Sequence, residues 1–159
     1  MAQVIEIRLA LADDAPAIAT VLHESFVEYK ASYTDRGFNA TTPTSDQLLN
    51  RMKEGPMWVA LQAEAIVGTV AAVNQGEALY IRGMAVLPAA RGQKVGELLL
   101  RQVESYAAAQ GCNSLVLSTT PFLARAIRLY EHFGYRRNSE GPHDLFGTPL
   151  FTMSKTLEP

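Results

Sequence analysis

The segment spanning residues 79–111 constrains the fold more than any other part of the chain, because a strand-like run there meets a helical pattern across a short turn. The apolar and β-branched residues of 79–87 predict a strand, and Pro88 stops it because proline cannot donate a hydrogen bond to a sheet. From Val95 onward, apolar residues recur at helical spacing until Gly111, a residue that commonly ends a helix. The pattern predicts a strand, a turn and a helix in direct succession.

The turn at residues 91–96, RGQKVG, has the composition of an anion-binding site. A helix that begins here leaves backbone N–H groups unpaired at the positive end of its dipole. Arg91 and Lys94 add positive charge. Gly92 and Gly96 permit close backbone approach to a ligand. The alternative is a surface turn closed by glycines, with solvated basic side chains. The turn matches neither the P-loop nor the dinucleotide-binding pattern, so neither of those sites is supported.

Two ordered segments resemble one known family. The strand end Val86-Leu87-Pro88, the 91–96 turn and the following helix resemble the acetyl-CoA-binding motif of the GCN5-related N-acetyltransferase (GNAT) family. Residues 126–135, AIRLYEHFGY, resemble a later segment of the same family, and the two segments together are more specific than either alone. Lys94 departs from the pattern, which usually has glycine at that place, and Leu123 stands where asparagine is common.

The resemblance covers nearly the whole chain and implies its fold class, an α/β (α+β) single domain over residues 1–159. It implies a mixed, mostly antiparallel central sheet of about six to seven strands with helices on both faces. The strands at 79–87 and 115–119 are expected to be parallel neighbours, joined by a right-handed crossover, that splay apart and admit the pantetheine arm of CoA.

Local patterns predict several further elements. Asp13 and Asp14 offer capping carboxylates to a first helix, and Thr44 or Ser45 is expected to cap another. Thr119-Thr120-Pro121 predicts a hydroxyl cap and a helix that begins at the proline. Further strands are expected at residues 4–9, 57–61, 66–73, 115–117 and 150–157.

The resemblance implies direct transfer of an acetyl group from acetyl-CoA to a primary amine of a small molecule, peptide or protein, within a ternary complex. Tyr130 matches the family's tyrosine beside the CoA sulfur and is the expected catalytic residue, although a packed helix tyrosine is the alternative. A phenol of pKa about 10 protonates a thiolate of pKa about 8.5 at a cost of about 2 kcal/mol, so a hydrogen bond is at least as credible as full proton transfer. The expected CoA-binding residues are Met84, Ala85, Val86, Arg91, Gly92, Gln93, Lys94, Val95, Gly96 and Tyr130.

The acceptor site is less defined than the CoA site. Residues 27–45 lose periodicity and are predicted as a loop, which is either a substrate lid or a cover for the sheet edge. The general base is open among Glu28, Glu77, His143, Asp144 and a water molecule. The candidate acceptor-binding residues are Tyr29, Tyr33, Tyr80, Arg82 and His143.

Composition excludes several other classes of protein. A net charge of −2 disfavours a nucleic-acid partner. His23, His132 and His143 are scattered without metal-ligand spacing, so no metal is expected, and the single Cys112 is predicted to be structural. No apolar run approaches the length of a membrane span, so we expect a cytoplasmic protein without a membrane partner.

Two hypotheses remain about assembly and activity. A homodimer is expected because edge strands often pair between protomers in the family that the chain resembles. The alternative function is a non-catalytic acyl-CoA sensor or interaction module on the same fold, since fold does not dictate function.

Overall fold

The structure, a computed structural model, describes residues 4–157 and is built on a seven-stranded sheet with the order β1-β2-β3-β4-β5-β9-β6. Neighbouring strands are antiparallel except β4 and β5, which are parallel. A separate two-stranded ladder joins β7 to β8. The predicted fold class, a mixed and mostly antiparallel sheet, is confirmed. The strands are β1 (Ile5–Leu9), β2 (Met57–Gln62), β3 (Ala65–Gln75), β4 (Ala78–Val86), β5 (Ser114–Thr119), β6 (Arg136–Asn138), β7 (Asp144–Leu145), β8 (Thr148–Pro149) and β9 (Phe151–Thr156).

Helices cover both faces of the sheet, as expected. Alternate residues of β2 point to opposite faces, so Met57 and Val59 join one core cluster whereas Trp58 and Ala60 join the other. Side chains of α1 and α3 pack in the first cluster, and side chains of α4 and α5 pack in or against the second. None of the helices formed by residues 4–157 has both the length and the apolar character needed to span a bilayer. The helices are α1 (Ala15–Phe26), α2 (Asp35–Thr41), α3 (Ser45–Met52), α4 (Val95–Ala109) and α5 (Ala124–His132).

A β-bulge interrupts β4 and ends its pairing with β5. Ala85 lies opposite Thr69 but Arg82 lies opposite Ala71, so β4 contains one extra residue between these pairs. Gly83, inside this bulge, has φ +61°, a conformation that glycine adopts without steric cost. The parallel pairing of β4 with β5 stops at Ile81 and Leu117, immediately before the bulge. The two strands therefore separate and leave a cleft between their carboxyl ends.

The bulge also reverses which residues of β4 face α4. Leu79 and Ile81 pack in the cluster that contains α4, and after the bulge Met84 and Val86 pack against the same cluster. The step from odd to even numbers is the one-residue shift that a bulge produces. Tyr80 and Arg82, which alternate with Leu79 and Ile81, therefore point to the face covered by α1 and α3.

The segment predicted as an aperiodic loop contains a helix. Residues 27–32 form a 3₁₀ turn, and α2 follows with Thr34 as its N-cap, whose hydroxyl accepts a hydrogen bond from the Gly37 N–H at 3.0 Å. A Cβ at Gly37 would lie 2.4 Å from the Thr148 Oγ1, so glycine is needed for α2 to pack against β8. The expectation of a loop was wrong because this packing overrides the low helix propensity of a glycine and threonine sequence.

Two predicted caps also differ from the structure. The helix expected at Pro121 begins at Ala124, with Leu123 as its N-cap and no side-chain cap. Asp14 is the N-cap of α1, but its carboxylate instead accepts hydrogen bonds from the Arg8 guanidinium and the Leu11 N–H, each at 2.7 Å. Asp14 binds other partners, and the Thr119 and Thr120 hydroxyls make no hydrogen bond within the described residues. A pattern of residue types does not reveal either outcome.

Candidate active site

A cavity of about 700 Å³ opens where β4 and β5 separate. Its walls come from the end of β4, the 91–96 turn, α5, the end of β5 and the segment from the end of α1 to α3. Most of the residues predicted from the sequence for CoA and acceptor binding meet in this one space. Those that line it are Tyr29, Tyr33, Tyr80, Arg82, Met84, Ala85, Val86, Arg91, Gly92, Lys94, Val95, Gly96 and Tyr130.

Two predicted site residues lie elsewhere. Gln93 is exposed, and its Oε1 accepts a hydrogen bond from the Gln62 Nε2. His143 is exposed and does not line the cavity. Gln93 was included because it belongs to the motif, and His143 because it belongs to a polar loop. Neither position fixes the direction of the side chain.

None of the side chains considered as a general base lines the cavity. Glu28 forms an ion pair with Arg91, and Glu77 accepts a hydrogen bond from the Asn113 Nδ2 at 3.3 Å. The Asp144 carboxylate accepts a hydrogen bond from the Gly147 N–H at 2.8 Å and so closes its own turn. The acidic residue that does line the cavity is Glu97, in the first turn of α4.

The 91–96 turn leads directly into the N-terminus of α4. Lys94 is the N-cap residue in the left-handed conformation, with φ 65° and ψ 19°, and Gly92 has φ +83°. A left-handed conformation costs a residue with a Cβ about 1–2 kcal/mol, which explains why glycine is the usual residue at this place in the pattern. A Cβ at Gly96 would lie 2.8 Å from the Leu129 Cδ2, so α4 begins in close contact with α5.

Positive charge concentrates at the turn. Arg91 pairs with Glu28, with 2.5 Å between Nη2 and Oε1, and both side chains are partly exposed. Lys94 is exposed and takes part in none of the salt bridges within residues 4–157. Together with the unpaired N–H groups of the first turn of α4, the two cations form a site for an anionic group.

The backbone at the end of β4 offers a donor to the cavity. The Leu87 N–H donates to the Val67 carbonyl of β3 at 2.8 Å. Since successive amides of a strand point to opposite sides, the Val86 N–H points away from β3, toward the side from which β5 has separated. The Val86 carbonyl on that side accepts a hydrogen bond from the Ser25 hydroxyl at 3.0 Å. Ser25 thus fixes the strand end from α1.

Tyr130 lies on the α5 wall of the cavity and is 7% exposed. Burial raises the pKa of its phenol to about 12. Its ring makes an edge contact with Tyr135, at 6.0 Å between ring centroids. The phenol therefore stays protonated at neutral pH and can act as a hydrogen-bond donor.

Sequence reasoning missed several polar groups of the cavity. The hydroxyls of Ser118, Thr119 and Thr120 line it, are buried and make no hydrogen bond within the described part of the chain. Their position at the carboxyl end of β5, a strand with a parallel neighbour, was an available signal, since ligands bind at the carboxyl ends of such strands. Arg51, on α3, also lines the cavity, and its helical context gave no signal. Residues 4–157 contain no cluster of side chains suited to hold a metal ion.

Comparisons with known proteins identify the family of this chain. A family model described as acetyltransferase (GNAT) family matches residues 18–135. The chain belongs to the GNAT family. The uncharacterized N-acetyltransferase YjgM of Escherichia coli (strain K12) is 32% identical to it over 134 residues, which cover 80% of this chain and 79% of that protein. This GNAT chain is an acetyl-CoA-dependent N-acetyltransferase.

Solved structures of other GNAT proteins share the fold. The PaiA N-acetyltransferase from Thermoplasma acidophilum, in complex with coenzyme A, superimposes with a TM-score of 0.83 at 18% identity and covers 97% of this chain and 99% of its own. A GNAT family acetyltransferase from Staphylococcus aureus Mu50 gives a TM-score of 0.81 at 18% identity, with 98% and 100% covered. At these identities the likeness concerns the fold.

Replacing Lys94 with glycine is expected to stabilise the protein by up to about 1.5 kcal/mol. Relief of the left-handed conformation gains about 1–2 kcal/mol, and the greater freedom of glycine in the unfolded chain offsets about 0.5–1 kcal/mol of it. Urea denaturation measures the change. Lys94→Ala is the matched control because it removes the same charge but keeps the Cβ. A glycine variant less stable than the alanine variant would contradict this account of Lys94.

Proposed function

We propose that this chain transfers the acetyl group of acetyl-CoA to a primary amine by direct attack within a ternary complex. The observation that carries the proposal is that one cavity joins the cationic turn, the free end of β4 and the Tyr130 phenol. Binding of both substrates in one space would allow the amine to attack the thioester directly, so no covalent enzyme intermediate is needed. Primary amines of small molecules, peptides and proteins all remain within this proposal.

The residues of the turn and of the neighbouring strand ends fit CoA. Arg91, Lys94 and the amides at the start of α4 would hold the pyrophosphate, and Gly92 leaves its approach open because no heavy atom lies within 4 Å of a Cβ built there. The unpaired hydroxyls of Ser118, Thr119 and Thr120 are donors for a polar arm that enters between β4 and β5. When bound, acetyl-CoA supplies an activated acyl group.

The Val86 N–H and the Tyr130 phenol have separate roles in the proposed reaction. The Val86 N–H would donate to the carbonyl oxygen as negative charge develops on it. Tyr130 would donate a hydrogen bond to the departing sulfur. Because its pKa is raised to about 12, full transfer of its proton to a thiolate of pKa about 8.5 is uphill by about 5 kcal/mol. The structure of the cavity therefore favours hydrogen-bond donation over proton transfer.

Among the described residues, no side chain of the cavity is an evident general base for removing the proton from the attacking amine. Glu97 belongs to the α4 end of the cavity, and the side chains considered as a base lie outside its lining. We propose that water accepts this proton. Because the cavity then supplies no base, the amine has to enter it in its neutral form. The rate is then expected to rise with pH as the fraction of neutral amine rises.

The function is tested by thiol release from acetyl-CoA with a panel of amines, together with calorimetric titration of CoA. Tyr130→Phe is expected to lower kcat at least about tenfold, because a donor to the departing sulfur is lost, and to change CoA affinity less than about threefold. Tyr106→Phe is the control, since Tyr106 packs against Trp58 outside the cavity lining. An unchanged kcat in Tyr130→Phe would remove its catalytic role. Binding of CoA without turnover of any amine would favour an acyl-CoA sensor.

Glu28→Gln is expected to tighten CoA binding up to about fivefold. The change frees Arg91 from its ion pair, and exposed pairs of this kind are worth about 0.2–1 kcal/mol. Arg91→Ala is expected to weaken binding, and Glu24→Gln, at another exposed glutamate of the same region, is expected to leave it unchanged. Calorimetry with CoA measures all three variants. Weaker binding in Glu28→Gln would show that Arg91 does not contact the phosphates.

We also propose that the protein is a cytoplasmic homodimer. β1 and β6 are the outer strands of the seven-stranded sheet, and each presents an unpaired edge within the described residues. Pairing of such an edge with a second copy would satisfy its free backbone groups. Sedimentation at the mass of one 17.4 kDa chain would contradict the dimer.

A further inference from the structure

Two arginines lie together at the end of the cavity away from the CoA turn. Arg82 precedes the bulge of β4 on the face covered by α1 and α3, and Arg51 belongs to α3 on that face. The Arg51 Nη1 lies 3.9 Å from the position of a Cβ built on Gly83, so its guanidinium adjoins the bulge. Both arginines line the cavity.

These two cations are only partly balanced by a neighbouring carboxylate. Arg82 pairs with Glu54, with 2.6 Å between Nη2 and Oε1, but its buried Nε makes no hydrogen bond within residues 4–157. Arg51 donates from Nη2 to the Ala40 carbonyl at 3.0 Å and takes part in none of the salt bridges of the described chain. Burial, and then the charge of Arg82, lower the pKa of the Arg51 guanidinium. Two guanidiniums therefore share one carboxylate, that of Glu54.

CoA does not account for this excess charge. Its phosphates are assigned to Arg91 and Lys94, which follow β4, whereas Arg82 precedes the bulge and Arg51 adjoins it. The reacting groups, the Val86 N–H and the Tyr130 phenol, lie on the cavity wall beyond the bulge. The arginine pair is thus placed to contact the acceptor rather than the acyl donor.

We propose that the acceptor is a primary amine that also carries a carboxylate, as an α-amino acid does, and that Arg51 and Arg82 bind that carboxylate. The inference rests on the proposed function and names the substrate class of the same site. A guanidinium presents several N–H donors in one plane and matches the two oxygens of a carboxylate. The carboxylate would supply the negatively charged partner that Arg51 lacks, and would hold the adjacent amine toward the end of β4.

The cavity wall beside Arg51 and Arg82 is aromatic and suits the side chain of an amino-acid acceptor. Tyr80 precedes Arg82 by two residues on the same face of β4, and Tyr29 and Tyr33 line the cavity from the segment before α2. The Tyr33 ring is held at 4.9 Å from the Phe122 ring, measured between centroids. These aromatic rings offer an apolar surface to a side chain, with phenol groups at its edge.

A purely structural role for Arg51 predicts a different result. Its hydrogen bond to Ala40 lies in the last turn of α2, so loss of the side chain would loosen α2 and lower stability. That loss would affect all acceptors alike. A role in binding a carboxylate instead changes the selectivity between acceptors that carry this group and acceptors that lack it.

The test compares matched acceptors in the thiol-release assay: phenylalanine with phenethylamine and phenylalanine amide, tyrosine with tyramine, and leucine with isoamylamine. We expect kcat/KM to be at least about tenfold higher for the member with a carboxylate. Arg51→Met is expected to raise KM for that member at least about tenfold and to change KM for the decarboxylated amine less than about twofold. Arg51→Lys keeps the charge without the planar guanidinium. Its KM for the acceptor with a carboxylate is expected to lie between the values of the unmodified chain and of Arg51→Met.

Arg128→Gln is the matched control, since Arg128 is exposed on α5 and does not line the cavity. Its selectivity is expected to equal that of the unmodified chain. Equal kcat/KM for acceptors with and without the carboxylate would overturn the proposal, and so would an equal loss for both kinds of acceptor in Arg51→Met. Either result leaves the acetyltransferase assignment intact.

A binding experiment separates failure of this inference from failure of the proposed function. Thermal unfolding is followed with CoA alone, and then with CoA together with each amine at equal concentration. A further rise in Tm with phenylalanine but not with phenethylamine, absent in Arg51→Met, supports the proposal even without turnover. No further rise with any of the amino acids, while CoA binds, overturns it. Absence of CoA binding instead contradicts the proposed function.

Discussion

The bulge at Gly83 is the constraint on which the geometry of the site depends. Without the extra residue, β4 and β5 would continue as a paired parallel ladder and no cleft would form between their ends. The bulge separates β4 from β5. It also shifts the alternation of side chains along β4 by one residue, which brings Met84 and Val86 to the face covered by α4. The Val86 N–H then has no strand partner on that side. A single glycine with φ +61° thus makes the donor available and opens the space it donates into.

Much of this architecture was predictable, because the strand, turn and helix of residues 79–111 have strong and contrasting periodicities. Even the bulge left a signal that was not used: the apolar positions Leu79 and Ile81 are followed by Met84 and Val86, a change from odd to even numbering with a glycine between them. Alternation in a continuous strand cannot produce that change. The residues predicted for CoA binding line one cavity, apart from Gln93, whose side chain is exposed.

The acceptor end of the cavity was predictable only in part, for a physical reason. Tyr80 and Arg82 lie on a strand next to a motif, so their location follows from the motif. Arg51 comes from a helix more than 30 residues earlier in the chain, and its approach to Gly83 depends on how α3 packs on the sheet. No local pattern encodes such a contact. The unexpected helix α2 likewise depends on a distant partner, Thr148.

The charges of the cavity are arranged in a way that suits the two substrates of the proposed reaction. At each end an arginine is paired with an exposed glutamate: Arg91 with Glu28 at 2.5 Å, and Arg82 with Glu54 at 2.6 Å. Such exposed pairs orient a guanidinium at little energetic gain, so a better anion displaces the glutamate at small cost. Between these ends lie the neutral groups of Tyr130, Val86 and the β5 hydroxyls. Anionic groups are therefore favoured at both ends but not in the middle, and in the proposed reaction this division would place the reacting amine and acyl group where the cavity is least charged.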